Sequence, residues 1–137
     1  MEQERTLYKQ LGGMEAFQRV AAAFYRRVET DDILRPMYPE DLDSARTHLA
    51  LFLAQFFGGP TQYNALRGHP RLRMRHMPFS IGQAERDRWL AHMLASLDEA
   101  GIVEPARSVM AQYFASTSTF LINQSPINQP THDGTIS

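Results

Sequence analysis

Phe17, Val20, Phe24 and Val28 recur at spacings of 3, 4 and 4 along the stretch from Met14 to Thr30. That period puts all four on one side of an α-helix, and Tyr25 falls beside the stripe. Gly12-Gly13 breaks the chain ahead of it and leaves a short helix around Leu7 to Leu11. Asp31-Asp32 closes it. Pro36 and Pro39 then bracket Met37-Tyr38, which reads as a turn rather than a regular element.

The same period returns three times. Ala45, Leu49, Phe52, Leu53 and Phe56 form a second stripe, with Asp43 or Ser44 as its expected cap and Gly58-Gly59-Pro60 as its end. Trp89, Leu90, Met93, Leu94 and Leu97 form a third, ended by Gly101. Ser80-Ile81-Gly82-Gln83 reads as its capping box, with Gln83 reaching back to Ser80. Pro105 restarts helix for Val109, Met110, Tyr113, Phe114, Thr117, Phe120 and Leu121. Between the second and third stripes, Thr61 to Pro70 shows no period. Pro70 and Pro78 limit the segment Arg71 to His76 to about two helical turns. No stretch alternates as a strand would, so the expected fold class is all-α. The 137 residues suit one domain, and the polar run Gln124–Ser137 reads as a tail.

The chain has no cysteine. Thiolate metal sites, disulfides and cysteine nucleophiles are therefore excluded, and any metal must be held by nitrogen or oxygen. A formal charge of −1 does not favour a nucleic-acid partner. No window approaches 18 consecutive apolar residues, and the polar start Met1-Glu2-Gln3-Glu4-Arg5 predicts no signal peptide. The expected setting is the cytoplasm.

Among the five histidines, His76 stands out. On a short helix Leu72 and His76 share one face, while Arg71 and Arg75 form a neighbouring ridge. An imidazole beside apolar contacts and cations suits haem, which needs a nitrogen ligand, a greasy wall and partners for two propionates. A solvated basic surface, or arginines meeting nucleic-acid phosphates, would also fit this segment taken alone. Tyr25, Tyr38 and Trp89 each set a polar donor beside an apolar run, and such donors need partners when buried. A backbone carbonyl would satisfy any one of them.

Longer blocks carry more. Phe56-Phe57-Gly58-Gly59-Pro60 through Tyr63, Arg67-Gly68-His69-Pro70-Arg71-Leu72-Arg73-Met74-Arg75-His76, and Glu85-Arg86-Asp87-Arg88-Trp89-Leu90 occur in order. Leu11-Gly12-Gly13, Phe24-Tyr25 and Met37-Tyr38-Pro39-Glu40-Asp41 support them. From about Leu7 to Asn123 the chain resembles the truncated haemoglobins, specifically group II, the O type.

The resemblance implies a globin domain over residues 1–123, a two-over-two helical sandwich around haem b, followed by a tail at 124–137. It implies His76 as the proximal iron ligand. Tyr25, Tyr38 and Trp89 become the distal residues that stabilise a bound ligand. Ala45 falls at the distal gate and Leu49 is the apolar residue one turn on, and Phe52, Leu72, Phe79 and Ile81 join them as haem contacts. Tyr63, Arg67, His69 and Arg75 are propionate candidates, with Arg71 beside them. His48 is expected to point outward. Phe57 stands where the family often has tryptophan.

The implied function is reversible binding of oxygen and other diatomic ligands with slow release. Redox chemistry on peroxide or nitrogen oxides would accompany it, peroxidase-like or nitric-oxide-detoxifying, with electrons from a reductase. A non-catalytic oxygen carrier or sensor, or a haem-free helical scaffold, also fits the residues. Monomer and homodimer are both compatible with them, and neither a nucleic-acid partner nor a membrane span is expected.

Overall fold

A computed structural model describes residues 6–67 and 81–122, apart from the side chains of Leu66 and Arg67. Among these residues every regular element is helical. Helices α1 (Leu7–Gln10), α2 (Met14–Glu29), α3 (Leu42–Phe56), α4 (Gln62–Arg67), α5 (Gln83–Glu99) and α6 (Ala106–Phe120) follow in order, with a single 3-10 turn at Arg35–Met37. Helix α2 packs on α3 and on α5, and α5 packs on α6. The result is one helix pair laid over another.

The stripe on α2 supplies the centre. Phe17, Val20, Phe24 and Val28 are all fully buried, and Leu53, Met93, Leu97, Met110 and Phe114 close around them from the other helices. Burying side chains of this size contributes about 1.5–3 kcal/mol each before chain entropy is counted.

Glycine sets the entry and exit angles. Gly58 adopts φ +101°, and a side chain at Gly59 would lie 2.5 Å from the Tyr8 ring and 2.9 Å from the Ala54 carbonyl oxygen. The end of α3 can therefore abut α1, where the Tyr8 N–H donates to the Phe57 carbonyl at 2.9 Å.

Several local expectations shift. Helix α3 is capped by Asp41, whose carboxylate accepts the Asp43 N–H at 2.9 Å, rather than by Asp43 or Ser44. Asp43 instead occupies the first turn and pairs with Arg46. Helix α5 starts at Gln83, after Gly82. Glu85 reaches back to accept the Gly82 N–H at 2.8 Å, while Gln83 donates sideways to Asp87. The expected partner Ser80 lies outside the described residues.

Helix α4 occupies a stretch where no period was visible. The Gln55 amide holds its start, accepting the Asn64 N–H at 3.0 Å and donating to the Asn64 side chain at 3.1 Å. The α3 stripe also divides. Ala50, Leu53 and Ala54 are buried, whereas Phe56 is 52% exposed and stacks on Tyr113 at 4.1 Å between ring centroids. On α6, Val109 and Phe120 face outward.

One polar group sits within this packing. Asp31, after α2, is buried and accepts N–H bonds from Ile33 and Leu34, and side-chain bonds from Arg88 and His92 of α5. Burial alone would push its carboxyl up. The bonds from His92, Leu34, Ile33 and Arg88 outweigh that and hold it well below the usual carboxylate range. A depressed folded-state pKa stabilises the fold above the unfolded value, near 4, and the contribution is lost as pH falls through the folded value. The thermal midpoint should therefore drop as the pH is lowered below about 4, and Asp31→Asn should flatten that part of the profile. An identical acid profile in the variant would show that Asp31 contributes nothing to it.

Candidate functional site

A cavity of about 440 Å³ opens between α3 on one side and α2, α5 and α6 on the other. That size lies within the range of small-molecule and cofactor pockets. Helix α3 contributes Ala45, His48, Leu49, Phe52 and Leu53; α2 contributes Phe24 and Tyr25. Leu34, Met37 and Tyr38 enter from the turn after α2, Tyr63 from α4, and Ile81 from the segment before α5. Trp89 comes from α5, and Tyr113, Phe114 and Thr117 from α6.

The walls are mostly apolar, and three polar rings meet at one end. The Trp89 indole lies beside the Tyr38 hydroxyl, both lining the cavity. The Tyr25 and Tyr38 rings meet edge to face at 5.4 Å and 87°. Trp89 is wedged between Phe24 and Phe114, at 5.6 and 5.8 Å. Burial pushes the Tyr38 hydroxyl up to about 12, moderated by the neighbouring Trp89 indole. Burial, with Tyr38 as its neighbour, raises Tyr25 well above the ordinary phenol value. Both hydroxyls thus keep their protons near neutral pH and are available as donors.

The structure brings together Tyr25, Tyr38, Ala45, Leu49, Phe52, Tyr63, Ile81 and Trp89 around this cavity. The side chain of Arg67, together with His69, Leu72, Arg75, His76 and Phe79, lies outside the described residues. His48 corrects one expectation, since it is half-buried and lines the cavity rather than pointing outward. At 100° per residue, a position three beyond Ala45 stays on the same side of the helix.

Arg86 also lines the cavity, a placement not foreseen. It sits three residues before Trp89, so helical spacing alone puts it on that face. Its guanidinium contacts Asp87 at 3.2 Å and the Ala115 carbonyl at 3.4 Å. Its Nε is buried without a partner among the described residues. An unpartnered N–H at an apolar wall suits a carboxylate-bearing ligand. The residues present therefore fit a large apolar group with an anionic edge and a ligand-binding centre near neutral donors. Haem has that character.

A helical sandwich closed around such a cavity defines a globin. A family model, the bacterial-like globins, matches residues 6–123. A haemoglobin from Chloroflexus aurantiacus is 55% identical, with a TM-score of 0.86 over 88% of this chain and 100% of that one. A truncated oxygen-avid haemoglobin from Bacillus subtilis is 32% identical, with a TM-score of 0.82 over 86% of this chain and 99% of that one. The group 2 truncated haemoglobin YjbI of Bacillus subtilis is 34% identical over 112 residues, covering 82% of this chain and 85% of that protein.

The chain belongs to the bacterial-like globin family and, within it, to the group II truncated haemoglobins with their two-over-two fold. Membership implies haem-based binding of oxygen and other small ligands. No helix among the described residues is long and apolar enough to cross a membrane.

Proposed function

We propose that this globin binds haem b, holds oxygen and other diatomics with slow release, and turns over peroxide or nitrogen oxides with electrons from a cytoplasmic reductase. The observation that carries the reading is the meeting of Tyr25, Tyr38 and Trp89 at one end of an apolar cavity. The absence of cysteine fits a haem held without thioether bonds.

Haem, when bound, supplies an iron that takes a diatomic ligand and exchanges electrons with it. His76 would hold the iron through Nε2, with a carbonyl partner for Nδ1–H to hold the tautomer. Tyr63, Arg67, His69, Arg75 and Arg86 are the proposed partners of the propionates. Ala45, Leu49, Phe52, Leu72, Phe79 and Ile81 would form the apolar walls. The apolar lining excludes water, so each donor acts at higher strength than it would in solvent.

Haem held in this cavity would leave partial negative charge on an oxygen ligand placed beside Tyr25, Tyr38 and Trp89. A neutral donor aimed at it contributes about 0.5–1.5 kcal/mol net, and several donors do so non-additively. Such a pocket retains oxygen, which makes it a poor delivery device. The relative described as oxygen-avid agrees with that direction. The same donors can stabilise charge on a peroxide as its O–O bond is cleaved.

Steady-state turnover of hydrogen peroxide with a reducing dye tests the catalytic part. Turnover well above that of free haem, reduced in Tyr38→Phe, supports it. Rates equal to free haem leave a non-catalytic oxygen-binding module, and the redox reading falls.

A further inference from the structure

Asp31 takes no part in this ligand chemistry, yet it ties together the two segments that carry it. One carboxylate oxygen accepts the Ile33 and Leu34 N–H groups at 2.8 and 3.0 Å, shaping the turn that follows α2. The Asp31 main-chain carbonyl accepts the Arg35 N–H at 2.9 Å. Arg35 then spreads its guanidinium over the carbonyls of Tyr38, Pro39 and Glu40, at 3.3, 2.9 and 2.8 Å. A chain of bonds thus runs from Asp31 to the backbone of Tyr38.

On its other side, Asp31 holds α5. The Arg88 Nε meets both carboxylate oxygens at 3.1 and 3.0 Å, and the His92 Nε2 lies 2.6 Å from Oδ2. Arg88 directly precedes Trp89, and His92 follows it by three residues. The pair therefore anchors the turn of α5 that carries the indole. The Asp31 side chain is 2% exposed against 49% for Arg88 and 25% for His92. A carboxylate so enclosed is costly unless every lone pair is used, and this constrains the geometry of its partners.

We propose that Asp31 is a positioning residue for the distal pocket, tying the Tyr38 segment to α5 so that the Trp89 indole meets the Tyr38 hydroxyl. The proposal rests on the reading of those two side chains as ligand-facing donors. Asn at this position keeps an oxygen for Ile33 and Leu34. It replaces the second oxygen by an NH2 group and removes the charge, so Arg88 keeps only the shared oxygen and the link to α5 weakens while the turn is kept.

Trp89 is the single tryptophan of the chain, so its indole N–H gives one NMR signal. The experiment compares the haem-loaded ferrous carbon-monoxide form of the wild type, Asp31→Asn and Gly59→Ala. The last destabilises the fold at the α1–α3 contact, away from Asp31. Asp31→Asn should speed solvent exchange of the indole N–H by about tenfold or more and shift the C–O stretch of the bound ligand. Gly59→Ala should leave the stretch in place and change exchange only as far as its thermal midpoint predicts. Unchanged exchange in Asp31→Asn, or equal changes in both variants at matched stability, overturns the proposal.

If Asp31→Asn does not fold, Arg88→Met removes both Arg88 bonds and is read the same way. The oxygen-release rate of Trp89→Phe separates the two readings. A normal release rate there removes the donor role, while the indole exchange still reports whether Asp31 sets the placement of Trp89 beside Tyr38.

Discussion

His76→Ala should abolish the five-coordinate haem spectrum of this protein. His76 lies between the two cavity-lining residues Tyr63 and Ile81 in sequence, on the segment whose motif carries the resemblance. Tyr25, Tyr38 and Trp89, as the proposed distal residues, would leave the iron without a strong ligand of their own, since protonated phenols and an indole N–H do not coordinate it. Partners that only orient a metal ligand are worth roughly 10–100-fold in affinity. Loss of the axial ligand itself should exceed that range. Titration of apoprotein with ferric haem, followed by reduction, reads the effect. Equal affinity and an unchanged ferrous spectrum would place the ligand elsewhere, and exogenous imidazole should restore the signal if the assignment holds.

The second large effect is expected at Trp89. Trp89→Phe retains a ring between Phe24 and Phe114 but removes the indole N–H from the distal cluster. A net hydrogen-bond contribution of about 0.5–1.5 kcal/mol corresponds to oxygen release roughly 2- to 12-fold faster. The Tyr38 hydroxyl also loses the neighbouring indole N–H, and a hydroxyl turned toward the ligand in its place would give the lower end of the range. Stopped-flow displacement of oxygen by carbon monoxide measures the rate. A rate equal to wild type would mean that the indole serves only Tyr38. A slower rate would mean that Tyr38 is the stronger donor and Trp89 restrains it.

Much of the architecture is written in local periodicity, because α2 buries a single stripe. Phe17, Val20, Phe24 and Val28 have one environment, the core, so spacing alone predicts their burial. Helix α3 serves two neighbours, packing Ala50 and Ala54 inward while Ala45, Leu49 and Phe52 face the cavity. A stripe read as one face merged these two and drew in Phe56, which is exposed. Caps were harder to place because several Asp, Ser and Gly residues compete near each start, and one-residue differences decide the geometry. Helix α4 was hidden because side-chain bonds from Gln55 hold it, with no apolar period to mark it.

The candidate site divides in a similar way. Tyr25, Tyr38 and Trp89 were legible through the family resemblance, since spacing alone left each with an ordinary backbone partner. Asp31 had no local signal beyond closing a helix. Its bonds to Arg88 and His92 span 57 and 61 residues of chain, a distance at which periodicity carries no information. Arg86 and His48 were within reach of helical spacing, one turn from Trp89 and Ala45 respectively.

The central claim is that the cavity between α3 and the α2–α5–α6 face holds haem, with the three ring donors over the ligand. Visible spectra of the purified, haem-loaded protein in its ferric, ferrous and oxygenated forms test it most directly. The expected result is one haem per chain with an intense Soret band, a five-coordinate ferrous form, and an oxygenated form whose release accelerates when Trp89 is replaced by Phe. A protein that takes up no stoichiometric haem and shows no Soret band would contradict it.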